Sequence, residues 1–526
     1  MTGSGVRGAT ANDRGEATIR LGFALVALIG FGPAQWALGL PQEPAPSEAA
    51  LRQPAQELAP DSPLAKGLAA IVQERLRADL EFFASDAMRG RNTPSPELRI
   101  AALFLKSRMQ SLGFQPGAEN GWFQDYPIFT QRLDPAQTSL VASFGEQSRS
   151  LGLGEDYFFQ LPNQSYDLAL EGQVLCVGEG SKEDLEGLDL QGKWALVLDR
   201  GKFLSKAIKA CQGAGAIGVL ATPGPTYERD SYAQKYRLRS LDQLAASKPR
   251  LTNSAGEDAP FPLIMLGRDA AKGLWVAAGS PLSAAGYPAT GVDPGFQLRE
   301  QRKLRIEQQS ASNLCAFWPG SDPQLAKETM ILSAHYDHVG VKDGVIYNGA
   351  DDNASGTSGL LALADALVAY GPMQRSVLLL WVSGEEKGLW GSKVWVDNPW
   401  LPESCHAVLN INIDMIGRAP GMDLCITPSM DHPSFNSLSR AAYDLAAEEG
   451  FGDLISQDEF WSSSDHKNFA ETLGLPVIFL SAGDHEDYHK PTDTAEKIDV
   501  QKSTRIVRLV LRVLDRVQAA PLSSGK

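Results

Sequence analysis

The stretch "ETMILSAHYDH" (328–338) joins an unbroken apolar run to an end that bears imidazoles and a carboxylate. An apolar run of strand length with no polar alternation is the pattern of a strand buried on both faces. The same pattern recurs three times. "SVLLLWVSGEE" (376–386) ends on Glu385 and Glu386, "HAVLNINIDMIG" (406–417) runs into Asp414, and "LPVIFLSAG" (475–483) precedes His489. A helical segment with an apolar face, "TSGLLALADALVAY" (357–370), lies between the first two. Alternation of buried strands with helices predicts an α/β fold, a largely parallel sheet covered by helices on both faces. In open sheets of this kind ligands bind in the crevice beyond the carboxyl ends of the strands. His335, Asp337, Glu385, Glu386, Asp414 and His489 all fall there. Asp351 and Asp352 lie on the loop before the 357–370 helix, within reach of the same crevice.

All seven histidines of the 526-residue chain fall between His335 and His489. Neutral nitrogen and anionic oxygen donors converging from distant segments are what a site for borderline divalent metals requires. Carboxylates crowded together without a cation would raise one another's pKa, and a cation removes that cost. A net charge of −15 argues against nucleic acid or an anionic membrane surface as partner, since both require basic surface. The composition, 43% apolar and 21% charged, is globular. The five cysteines contain no C-x-x-C pair and so no zinc ribbon; one disulfide would leave a thiol over.

Working outward, Arg7, Arg14 and Arg20 precede the apolar stretch "LGFALVALIGFG" (21–32), with small residues at 37–39. Residues 1–40 read as a secretory signal peptide, or as an N-terminal membrane anchor if uncleaved. The expected localisation is therefore exported: secreted, periplasmic or at the cell surface. Residues 41–67, rich in Pro, Ala, Glu and Gln, read as a solvated linker. Folded sequence is expected over 68–154, including an amphipathic helix in 94–114 with Ile100, Leu103, Phe104 and Leu112 on its apolar stripe. The segment 155–290 changes character, with short strand-like runs at 173–178, 193–201, 217–222 and 261–266 and no histidine. It reads as a non-catalytic β-rich module. The α/β pattern occupies 291–518.

The ordered motifs "HYD" (335–337), "ADDN" (350–353), "GEE" (384–386), "NIDMIG" (412–417) and "YHKPTDT" (488–494) resemble the co-catalytic di-zinc aminopeptidases. That family's relatives include glutamate carboxypeptidases, glutaminyl cyclases and the transferrin receptor. "LEFFASDAMRGRNTPSPE" (80–97) is similar to the family's N-terminal segment. The middle segment, through "GKWALVLDRG" (192–201) and "AIKACQGAGAIGVLAT" (207–222), resembles an inserted protease-associated (PA) domain. The resemblance implies a zinc-exopeptidase-like fold and two Zn2+ per chain. His335 and Asp414 would ligate one ion, Glu386 and His489 the other, and Asp352 would bridge them. Asp337 would orient His335 from behind, Glu385 would be the general base toward a metal-activated water, and Tyr488 would polarise the substrate carbonyl.

His338 reads as an orienting or surface group and His466, in "SSSDH", as a structural hydrogen-bonding group. His406, His432 and His485 have no motif support. Arg418 reads as a salt-bridge partner, Trp381, Trp390, Trp395 and Trp400 as packing, and Asp484, Glu486 and Asp487 as a charged loop able to meet a substrate amine. The function expected is a zinc metallo-aminopeptidase acting on peptides with a free N-terminus. Three alternatives stand beside it: a carboxypeptidase or dipeptidase of the same family, a single-zinc glutaminyl cyclase, and a non-enzymatic receptor.

Overall fold

The strand Glu328–His335 sits in the middle of a nine-stranded sheet, paired in parallel with Ser376–Val382 on one side and His406–Ile413 on the other. Val477–Ser481 adds a fourth parallel strand beside His406–Ile413. The chain therefore leaves Glu328–His335 to one side and later returns to its other side. That reversal opens a crevice between it and His406–Ile413 at their carboxyl ends. Successive residues of the central strands face opposite sides, as pleating requires. Met330, Leu332 and Ala334 enter one core cluster with Val377, Leu379 and Trp381, while Ile331, Leu378, Leu380 and Val382 enter another. The helices Gly356–Tyr370 and Val500–Val517 cover the first face, and Trp390–Asp397 and His466–Leu473 the second. The expected α/β layering, helices on both faces of a sheet, is what the chain adopts; the sheet is mixed, parallel at its centre and antiparallel where Leu304–Trp318 and Cys425–Thr427 join it.

This architecture is that of a computed structural model that describes residues 58–118, 121–159, 167–201, 204–227, 249–251, 261–418 and 423–522. The expected signal or anchor and most of the linker lie outside the described residues. Among the described residues no helix is long and apolar enough to cross a membrane. The five cysteines are all free thiols, so no disulfide staples the fold.

Eight further strands form a second sheet. Its centre, Leu168–Cys176, Trp194–Asp199, Gly218–Pro223 and Leu263–Leu266, is parallel, and each face has its own apolar cluster. The sheet reaches beyond 155–290, because Ser139–Phe144, Gln147–Leu151 and Gln297–Arg302 join its edge. Two long strands link the sheets. Phe123–Leu133 and Leu304–Trp318 pair antiparallel from Phe123↔Leu314 to Leu133↔Leu304, and Asp134 N–H then donates to Lys303 O at 2.9 Å.

The 94–114 segment folds as the helix Pro96–Ser111, with Ser95 capping Leu98 N–H and Pro96 at its first turn. Its buried stripe differs from the expected one. Leu98, Ala101, Ala102, Leu105 and Met109 are buried, whereas Ile100 is 52% and Leu103 47% exposed. Two adjacent alanines let the helix approach the core more closely than its bulkier face would allow.

Candidate functional site

Each candidate side chain is delivered by a local device. His335 is the last residue of its strand, and its carbonyl accepts the Thr357 hydroxyl at 2.8 Å. Asp414 follows the neighbouring strand, and the next residue, Met415, has a φ of 56°. Glu385 and Glu386 follow Ser376–Val382 through Gly384, whose φ of 72° turns the chain sharply. His489 also has a positive φ, 52°. Left-handed backbone at non-glycine residues is costly and concentrates at functional sites.

The side chains converge in two groups that share one carboxylate. His335 Nε2 lies 3.2 Å from Asp414 Oδ1 and 3.3 Å from Asp352 Oδ1. The other oxygen, Asp352 Oδ2, lies 3.1 Å from His489 Nε2, which is in turn 3.1 Å from Glu386 Oε2. Asp351, adjacent in sequence, turns away. Its Oδ1 accepts Gly417 N–H at 2.7 Å and its Oδ2 lies 3.2 Å from His485 Nε2. Asp493 accepts the backbone N–H groups of Asp351 and Asp352 at 3.0 and 3.2 Å. The side chain of Asn353 donates to Ile413 O at 3.1 Å and accepts Met415 N–H at 3.3 Å, stitching the 350–355 loop to Asp414.

His338 is a correction to the sequence reading. It is no surface group: it is fully buried beside Glu386, with Nδ1 2.7 Å from Oε1 and 3.6 Å from Asp352 Oδ2. Neither ring nitrogen has an aligned hydrogen-bond partner, nor has Glu386 Oε1, despite the short separation. Two sets of donors, His335–Glu385–Asp414 and His338–Asp352–Glu386, each draw together closely enough to surround a cation. Converging carboxylate oxygens and imidazole nitrogens, with His338 and Glu386 Oε1 left without aligned partners, fit divalent zinc.

The electrostatics carry the same message. Against the cost of burial, Asp414 and Glu385 hold the His335 imidazole well above its usual range. His338, His335 and His489 hold the Asp352 carboxyl well below the usual range, although burial opposes them. Burial, with Asp465, Asp414 and Glu386 outweighing His335, pushes Glu385 well above. Carboxylates crowded in a buried crevice raise one another in this way, and a bound cation would relieve it.

Behind these groups lies a ring of supports. Asp337 meets His335 Nδ1 through its own carbonyl at 3.1 Å, with its carboxylate farther off at 3.7 Å. That carboxylate instead accepts the Thr93 hydroxyl at 2.8 Å and Glu385 N–H at 3.2 Å. The Ser464 hydroxyl donates to Asp414 Oδ2 at 2.8 Å. The side chain of His489 is 37% exposed and Tyr488 is 44% exposed, its ring stacked on His489 at 4.0 Å, so the crevice opens on that side. Arg418 pairs with Asp487, as a salt bridge should, and Lys497 Nζ reaches the same carboxylate at 2.8 Å. Asp487 is therefore already committed and is not the free acceptor the sequence suggested. Trp381 and Trp395 are fully buried, and Trp390 and Trp400 pack at the margins of the core clusters.

Residues 313–514 match the model of peptidase family M28. This stretch is similar to an M28 peptidase domain. It contains His335, Asp352, Glu385, Glu386, Asp414, Tyr488 and His489. Among curated proteins the chain is similar to a probable leucine aminopeptidase of Trichophyton verrucosum (29% identity, 36% of this chain and 54% of that one). It is similar also to aminopeptidase YwaD of Bacillus subtilis (28% identity, 41% and 48%). The chain thus spans about half the length of these relatives. Among solved structures it is similar to an aminopeptidase from Aneurinibacillus sp. strain AM-1 (17% identity, 88% and 97% covered, TM-score 0.47). Some residues that serve the M28 site were not singled out by the sequence: Thr93, Asn353, Ser464 and Asp493. None belongs to a recurring strand-end pattern, but each lies inside a quoted motif: Thr93 in 80–97, Asn353 in "ADDN", Ser464 in "SSSDH" and Asp493 in "YHKPTDT".

Proposed function

We propose that the chain is an exported, zinc-dependent exopeptidase that removes N-terminal residues from peptides. The observation that carries this reading is Asp352. Its two oxygens face two different histidine and carboxylate groups, the geometry by which one side chain is shared between two ions. His335 and Asp414 would hold the first zinc, and Glu386 and His489 the second. Zinc at these positions would supply a Lewis acid for the scissile carbonyl and would acidify water. Asp337, Ser464 and Asp493 hold the ligand-bearing loops in register. Glu385, beside His335 and Asp414, accepts the proton of the attacking water and returns it to the leaving amine. Tyr488 at the mouth donates its hydroxyl to the developing oxyanion. The segment 155–290, read as a PA-like domain, lies apart from these residues in sequence and is assigned no ligand.

The charge around the crevice favours an amine over a carboxylate. Arg418, the local cation able to meet a C-terminal carboxylate, is engaged by Asp487. Charge-assisted bonds from a protonated α-amine to a carboxylate are the stronger kind, and a blocked amine would leave buried acceptors unpaired. Aminoacyl anilides should therefore be hydrolysed and their N-acetylated counterparts should not. Equal rates on the two would overturn the aminopeptidase reading and leave a carboxypeptidase or dipeptidase in its place. Transfer to the substrate's own amine without water uptake would mark a cyclase.

A further inference from the structure

Three residues far upstream of the M28 match reach three of the loops that carry the proposed ligands, those of His335, Asp352 and Glu386. Arg91 is fully buried, and its guanidinium donates to backbone carbonyls, with no ion pair among the described residues. Its Nε donates to Tyr336 O at 3.0 Å, between His335 and Asp337. Its Nη1 donates to Asn348 O at 2.8 Å and to Phe83 O, and its Nη2 to Gly349 O at 2.9 Å, just before Asp352. The Arg91 carbonyl accepts His338 N–H at 3.2 Å. Two residues on, the Thr93 hydroxyl donates to Asp337 Oδ2 at 2.8 Å and accepts Gly384 N–H at 3.0 Å, immediately before Glu385. Between them, Asn92 Oδ1 accepts Lys387 Nζ at 2.6 Å. The strap lies close because Gly90 has no side chain: a Cβ there would sit 2.2 Å from Tyr347 O.

A planar guanidinium offers five donors in a fixed fork, and here four backbone carbonyls from three segments fill that fork. Carbonyls held by one rigid group cannot drift independently. We infer that Arg91, with Thr93, is a positioning residue that sets the spacing between the His335 loop and the Asp352 loop, and so the affinity of the site for its ions. The inference rests on the zinc reading above. It adds that the M28 segment, 313–514, does not by itself hold a site of full affinity. Lysine keeps the charge of Arg91 but reaches at most one or two of the carbonyls.

The test is the dissociation constant for Zn2+ of folded, chelator-stripped full-length protein, measured by competition with a chromophoric chelator. Supporting groups one shell beyond the ligands typically change metal affinity by roughly 10–100-fold. Arg91→Lys is expected to weaken zinc binding by about that factor, and Thr93→Val, of nearly unchanged shape, by about 10-fold. A merely structural role would lower the melting temperature of the stripped protein and leave the zinc constant where it was. If Arg91→Lys does not fold, Thr93→Val decides. Zinc binding within twofold of the parent in every variant that folds overturns the inference. Failure of the parent itself to bind zinc would instead overturn the reading on which it rests.

Discussion

Stripping and restoring the ions should move the stability of the whole protein by an amount that counts them. Each converging group closes segments that are far apart in sequence: His335 with Asp414, and Asp352 with Glu386 and His489. The ions therefore bind the folded chain and not the unfolded one. At free zinc a hundredfold above its dissociation constant, one such site adds about 2.7 kcal/mol, and two add roughly 5 kcal/mol. For a unit running from Glu57 to Lys526, the unfolding entropy is about 1 kcal/mol per kelvin. Two ions should then raise the melting temperature by about 5 °C, and one by about 3 °C. The assay is differential scanning calorimetry of chelated protein titrated with Zn2+, with the bound metal counted in parallel. Saturation at one equivalent would refute the sharing of Asp352 between two ions. A melting temperature indifferent to both chelator and zinc would refute the metal site altogether.

Glu385→Gln should lower turnover by roughly 10²–10⁴ while metal content is unchanged, because a proton acceptor is lost and no ligand is; loss of metal in this variant but not in Glu386→Gln would reverse the two roles. Gly417→Ala should cost about 1–3 kcal/mol in a urea titration, since its Cβ would meet Ile498 Cγ2 at 2.5 Å and Asp351 Oδ1 at 3.1 Å; an unchanged midpoint would show that this loop yields easily. Burial pushes the His466 imidazole down to about 3. Between that value and the unfolded value of about 6.5 only the unfolded chain takes up the proton, so stability falls as pH is lowered through this window. The loss should reach roughly 2 kcal/mol at pH 5 and disappear in His466→Phe; an identical pH slope in the variant would sink the assignment.

What the sequence made legible was decided by how each residue is held. Strands buried on both faces, such as Met330–Ala334 and Leu378–Val382, advertise themselves as unbroken apolar runs, and ligands that follow directly on such strands inherit that clarity. Asp351 and Asp352 are different. Nothing local says which of two adjacent aspartates turns inward; Gly417 N–H and His485 decide it from other segments. His338 looked peripheral because three residues past a strand end is ordinarily solvent, and it is segments distant in sequence, at Arg91, Asp352, Glu386 and His489, that close over it. The helix Pro96–Ser111 misled for the opposite reason. Ile100 and Leu103 lie outside its buried stripe, which runs through Leu98, Ala101, Ala102, Leu105 and Met109, while Phe104 and Leu112 pack at the stripe's edge.

Leu133 and Leu304 are ladder partners, so everything from Asp134 to Lys303 is a single excursion from one rung. Paired residues in an antiparallel ladder have Cα atoms about 5 Å apart. Seen from the sheet that carries His335 and Asp414, the entire second sheet is the tip of a hairpin, interchangeable in principle with a turn of two residues. The host ladder closes across that short gap, and among the described residues the excursion returns to it at Arg250, which exchanges backbone hydrogen bonds with Phe129 at 2.8 and 2.9 Å. This is a position at which a lineage can acquire, enlarge or shed a domain while the crevice keeps its shape.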